Sequence, residues 1–220
     1  MRTPGGTPES IALPDRHEEA ANALSHGIGF LLAVASLPVL VDFTARQGSR
    51  SAMLGACIFS LTMILLYFSS AVYHWLPRGR AKDWFNRLDH AAIYLFIAGT
   101  YTPFAHGLID DSTGWAPFAL IWSLALAGVW AKVRNRLRNP RWSTALYIAL
   151  GALAVLAAAP LLQRLPFDGL LLLLGGSLAY TVGVVFFLLD QRLRYGHFVW
   201  HLFVLIGSAC HFFATLLQAV

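Results

Sequence analysis

The sequence predicts an all-α membrane protein: a bundle of seven transmembrane helices with its N-terminus in the cytoplasm and its C-terminus outside. Three observations predict it, namely the composition, the lengths of the apolar runs, and the sidedness of the basic residues. Of 220 residues, 57% are hydrophobic and 12% charged, with a mean hydropathy of +0.61. A soluble domain carries about twice that share of charge to cover its surface. Much of this chain's surface therefore faces lipid.

The opening residues, MRTPGGTPESIALPDRHEEA, are polar and rich in Pro and Gly. They lack the apolar core and small-residue cleavage site of a signal peptide, so the first helix is expected to stay in the mature protein. Residues 1–18 read as a polar tail and 19–220 as one seven-helix domain, with no linker or low-complexity stretch dividing it. A span needs about 20 mostly apolar residues. Seven stretches qualify: 22–45, 51–76, 89–109, 113–133, 142–162, 167–189 and 195–217. Every connection is short, so neighbours run antiparallel. Pro38, Pro103, Pro117 and Pro160 fall inside spans and are expected to bend them. In the sixth span Gly175, Ala179 and Gly183 recur every four residues, a spacing that lets helices approach closely. Cys57 and Cys210 sit in apolar runs as packed thiols and suggest neither a disulfide frame nor a thiolate metal site.

The basic residues set the orientation. Arg2 and Arg16 lie in the tail. Arg78, Arg80, Lys82 and Arg87 join the second and third spans. Lys132, Arg134, Arg136, Arg138 and Arg141 join the fourth and fifth, and Arg192 and Arg194 the sixth and seventh. With seven spans these segments share one side, leaving only Arg46, Arg50 and Arg164 of the 16 basic residues on the other. Such an excess marks the cytoplasmic face. It also accounts for the net charge of +5 without nucleic acid as a partner.

Ionisable residues inside spans are costly and mark function. Here they converge. Glu19, Asn22 and His26 open the first span, Ser70 and His74 close the second, Asp89 and His90 open the third, and His197 and His201 open the seventh. All four groups lie in the inner leaflet. His197 and His201 are four apart, so both imidazoles leave one helix face and can share an ion. Two His from one helix and one from another supply three nitrogen ligands, the number typical of a catalytic zinc site with its fourth position left for water. Asp89, at a matching depth, can accept a hydrogen bond from that water or act as its base. Each residue also has an ordinary role: Asp89 as a helix cap, Ser70 bonded to the carbonyl four residues back, Glu19 and Asn22 as first-turn residues. An HxxxH pair alone is a weak signal, and it is the convergence that carries the argument. His211 lies about 15 Å deeper than His201 by helical rise and falls outside the ligand set. His17 and His106 read as surface residues at span edges.

Four motifs in order carry a resemblance: E-x-x-N-x-x-x-H-x-x-G over 19–29, SSAVYH over 69–74, LDHAAIYLFIAGTYTP over 88–103 and GHFVWH over 196–201. They resemble the hemolysin III family, which belongs with the progestin and adipoQ receptors, including the adiponectin receptors. The likeness runs from about residue 19 to 211. It implies a seven-helix bundle with a cytoplasmic N-terminus and a zinc ion held by three His, matching His74, His197 and His201. Family Ser and Asp positions near the zinc match Ser70 and Asp89. The wider group resembles the alkaline ceramidases, which hydrolyse lipid amides. The chain departs from the receptor branch in lacking a long polar N-terminal domain and in having outer connections of a few residues. A partner needs about 800 Å² of surface, so a peptide hormone is not expected.

Three functions follow. The first is an intramembrane zinc hydrolase of the cell membrane acting on a lipid amide or ester, with Asp89 and Ser70 catalytic and Glu19, Asn22 and His26 as a supporting polar network. The second is a regulator of membrane lipid state with structural zinc, a membrane lipid being its ligand. The third is a pore-forming cytolysin. A conductive path needs polar lining through both leaflets, and outer-half segments such as LLAVASLPVL and LAVLAAAP are mostly apolar.

Overall fold

The computed structural model describes residues 15–46, 49–110, 114–162 and 165–218, with backbone alone at 106–110, 161–162 and 218. These residues form seven helices and no strand: α1 (Arg16–Arg46), α2 (Arg50–Trp75), α3 (Arg80–Asp110), α4 (Trp115–Val133), α5 (Pro140–Leu162), α6 (Phe167–Leu188) and α7 (Gly196–Gln218). Most of the sequence read as the polar tail lies outside the described residues.

Hydropathy marks where a helix meets lipid, not where it begins, and two helices start earlier than their apolar runs. At α1 the Asp15 carboxylate accepts from the Glu18 backbone N–H at 2.8 Å, a first-turn bond that holds its pKa below the ordinary carboxylate value. The helix therefore begins at Arg16, inside the stretch read as a tail. α3 begins at Arg80, just after Gly79 at φ 156°, and runs through the amphipathic lead RAKDWFNRL before its apolar part. α5 opens on Pro140, whose missing N–H is no loss there. Pro38, Pro103 and Pro160 lie inside helices. Pro117 does not bend α4: it stands in the first turn, where no helical bond needs its N–H.

Six helices are long and apolar enough to cross a membrane. The exception is α3, whose charged lead and buried polar residues dilute its hydropathy. Its middle is shielded by the bundle, with Ala91, Ala92, Tyr94, Phe96, Ala98, Tyr101 and Phe104 all buried. Outward surfaces of the other helices are apolar, as at Leu31, Leu61, Leu156 and Leu178. α1 packs between α2 and α7, α3 follows α2 and carries α4 and α5, and α6 packs on α7. α5 and α6 barely meet. Behind that seam lies a cavity of about 510 Å³.

The close approach of α6 to α7 runs through Gly176 and Gly183. A Cβ on Gly183 would stand 2.7 Å from the Phe203 Cβ, and one on Gly176 would stand 2.5 Å from the His211 ring. Gly175, expected from its spacing with Gly183 to lie in this contact, faces open space; the heptad spacing of Gly176 and Gly183 follows the interface instead. Replacing Gly183 with Val is expected to cost about 1–3 kcal/mol by overpacking, read as a lower melting temperature in detergent.

Candidate metal centre

One stripe of α7 organises the site. His197, His201, Val204, Ser208, His211 and Thr215 recur at intervals of four and three, the period that keeps residues on a single helix face. His201, Val204, Ser208, His211 and Thr215 are all buried. At the N-terminal end of this stripe the His197 and His201 rings meet His74 of α2. The ring centroids are 4.8 Å apart for His197 and His201, 5.1 Å for His74 and His197, and 5.0 Å for His74 and His201. One nitrogen from each ring lies within 4.8 Å of the others, a group that could hold a metal ion.

The opposite side of each ring is engaged by an acceptor. His74 Nδ1 is 2.9 Å from the Glu19 carboxylate. His197 Nδ1 is 3.3 Å from the Asp190 carboxylate. His201 Nδ1 is 3.3 Å from the Asn22 carbonyl and 3.1 Å from Ser25 Oγ. Carboxylates and carbonyls only accept, so each Nδ1 carries the proton and each Nε2 is left with its lone pair. That is the tautomer a metal-binding histidine takes, its outer nitrogen fixed by a carboxylate or a carbonyl. His74 Nε2 fits this use directly, since it is buried and has no hydrogen-bond partner. The donor set of three imidazoles suits zinc, copper, iron or nickel.

Local chemistry builds these partners. Lys82 of α3 donates to Glu19 Oε2 at 3.1 Å, to the Tyr73 carbonyl in the last turn of α2 at 2.9 Å and to the carbonyl of Leu76, just past that helix, at 3.2 Å. It caps one helix and holds the carboxylate that holds His74. Glu18, the neighbour of Glu19, accepts from the Tyr195 backbone N–H at 2.7 Å. Tyr195 itself has φ 59°, the left-handed turn that starts α7.

The remaining candidates surround the rings. His26 stacks on His201 with centroids 3.5 Å apart and stands edge-on to Tyr67. Both of its ring nitrogens are buried without a hydrogen-bond partner. Asn22 contributes its backbone carbonyl, while its side-chain Oδ1 is buried without a partner. Ser70 and Asp89 are buried and line the cavity together with His197 and His201. The Ser70 hydroxyl interacts with the Asp89 carboxyl but falls outside hydrogen-bond geometry. His17 is exposed, and the His106 side chain lies outside the described residues. Sequence reasoning missed Ser25, Lys82 and Asp190 as partners. Asp190 had a signal, as the one acid in a connection otherwise carrying Arg192 and Arg194. Ser25 and Lys82 had none beyond their closeness in sequence to His26 and Tyr73.

These features define a helical membrane protein with a buried three-histidine cluster able to hold a metal ion. The family description that matches the chain is Haemolysin-III related, over residues 15–212. The chain belongs to this family and is a multi-pass integral membrane protein. Relatives include hemolysin-3 of Bacillus cereus, 41% identical over 90% of this chain and 90% of its own. A hemolysin-3 homolog of Bacillus subtilis is 40% identical over 92% and 95%. The human monocyte to macrophage differentiation factor is 26% identical over 91% and 84%. No solved structure matches the chain.

Proposed function

We propose that the protein is a zinc-dependent hydrolase of the membrane's inner leaflet, acting on a lipid amide or ester. The observation that carries this reading is the opening of the histidine cluster onto an apolar cavity that also has Ser70 and Asp89 in its wall. A purely structural ion would need no such space.

In this reading His74, His197 and His201 hold the ion and seven helices span the membrane, with the N-terminus in the cytoplasm and the C-terminus outside. α3 spans as a helix sheltered by its neighbours. Exposed Trp75, Trp84, Trp130 and Trp142 lie beside the basic connections, as expected of an interfacial aromatic belt. Zinc, when bound, supplies a Lewis acid and brings the pKa of a water toward about 7. The chain's residues do the rest. Asp89 takes and holds a proton at its carboxylate. The Ser70 hydroxyl donates to oxygen as negative charge develops on the substrate carbonyl. The cavity takes the acyl chain, each buried methylene contributing about 0.8 kcal/mol, and the weak seam between α5 and α6 is its way in from the bilayer. The basic rim attracts anionic head groups.

A second reading has support in the burial of the cluster, His201 being only 1% exposed: a structural ion that clasps α1, α2 and α7 in a non-enzymatic regulator of lipid state. A third takes the relatives' name literally, as a cytolysin, and is supported by the polar stripe that continues along α7 to Thr215. One experiment separates the three. Purified protein is expected to contain about one zinc per chain, the capacity of a single three-ligand site, and to hydrolyse a lipid in an amide and ester screen, with both properties lost in His74→Ala. Zinc without turnover on any lipid would favour the regulator, and leakage of dye from liposomes would favour the cytolysin.

A further inference from the structure

The cavity reaches well past the histidine cluster. His211 also lines it, ten residues further along α7 and therefore about 15 Å from His201 along the helix. The residue is only 5% exposed. It rests against Gly176 and the Tyr180 ring, whose centroid is 5.4 Å away. Its Nδ1 is 2.9 Å from the Gly207 carbonyl. A carbonyl only accepts, so Nδ1 carries the proton, and in the uncharged ring Nε2 is left as an acceptor.

The neighbouring hydroxyls deepen this imbalance. Ser208 donates to the Val204 carbonyl at 2.9 Å, and Tyr67 donates to Ser208 Oγ at 2.7 Å. With the serine proton committed, Tyr180 is the donor in its 3.3 Å contact with Ser208. Its oxygen lone pairs remain free beside the cavity that Tyr180 lines. The chamber thus presents two acceptors, His211 Nε2 and the Tyr180 oxygen, and its wall also carries the Tyr101 hydroxyl, buried without a hydrogen-bond partner. A plain hydrocarbon chain reaching this depth would leave both acceptors unpaired, which is unfavourable in an apolar setting.

We propose that the His211 end of the chamber is a second polar subsite, in which His211 accepts a hydrogen bond from a hydroxyl carried midway along the hydrocarbon chain of a bound lipid. The inference rests on the reading that the cavity takes a lipid chain. It adds the selectivity: hydroxylated chains are preferred to plain ones of equal length, and the spacing of about 15 Å from the histidine cluster measures where along the chain the hydroxyl sits.

The test is competition binding to purified, zinc-loaded protein, with stearate and a stearate bearing one mid-chain hydroxyl each displacing a fluorescent fatty acid. The hydroxylated chain is expected to bind roughly five- to tenfold more tightly, the worth of one buried hydrogen bond. His211→Leu is expected to erase that preference, with stearate binding at least as tightly as before because the acceptor it left unpaired is gone, while His211→Gln, which keeps an acceptor, retains part of it. Comparison of the two ligands on the unaltered protein holds even if a variant folds poorly. Equal affinity for both chains, or a preference that survives His211→Leu, would overturn the subsite alone. Failure of stearate itself to bind would overturn the cavity reading, and this inference with it.

Discussion

On the proposed ligand set, protein carrying His201→Ala is expected to purify without metal and to melt at or below the temperature of the chelator-treated parent. His201 supplies one of three imidazole nitrogens, and its ring is also the surface on which His26 stacks. Losing it leaves His74 on α2 and His197 on α7 as a pair, too few to keep a tightly held ion. A ligand present at about a thousand times its Kd stabilises the folded state by about 4 kcal/mol, so removing the site removes that contribution. Metal analysis gives the first readout and thermal melting the second. Melting of chelated parent and chelated variant separates the ion from simple packing, because only the packing difference survives chelation. If His201→Ala retains a full complement of metal, the ligand set is wrong.

The next largest effect is expected at a residue that touches no metal. Glu19→Gln should weaken zinc affinity about tenfold and Glu19→Ala toward a hundredfold, the range seen when the partner of a ligating histidine is removed. Glu19 fixes the His74 ring at 2.9 Å and receives Lys82 at 3.1 Å. Glutamine keeps an oxygen for the ring but gives up the charge that both partners use. Alanine also leaves a partly buried ammonium on α3 facing no carboxylate. Asp190→Asn should cost less than either, because its contact with His197 is longer, at 3.3 Å. Titration against a chelating dye ranks the three. A ranking that puts Asp190 first would place the organising charge on the α6–α7 connection rather than on α1.

Much of this was readable from residue spacing. His197 and His201 share a face because four residues make about one helical turn. Counting spans and sides brings His74 and Asp89 to the same leaflet as this pair. What spacing did not reveal is which atoms do the holding. Asn22 reads as a side chain, yet its backbone carbonyl meets His201 and its amide oxygen has no partner. Gly175 reads as the contact glycine by a four-residue rule, whereas it is Gly176 and Gly183, seven residues apart, that face α7. α3 was bounded at Asp89 by hydropathy, although the amphipathic turns before it are what bring Lys82 to Glu19. The depth of His211 was legible, but not that the cavity extends to it, since a void belongs to several helices and is written in none of them.

The partners of His201, Asn22 and Ser25, are 179 and 176 residues away in the chain. His74 and Glu19 are 55 apart. Biosynthesis therefore completes the cluster in two stages: an early pairing once α2 has joined α1, and a closure that waits for the last helix to be translated and inserted. A nascent chain stalled before α7 offers an ion one imidazole from the triad and has nothing to trap it with. On the proposed ligand set, metal capture becomes a late event in maturation, and uptake a report that the last helix has found its neighbours.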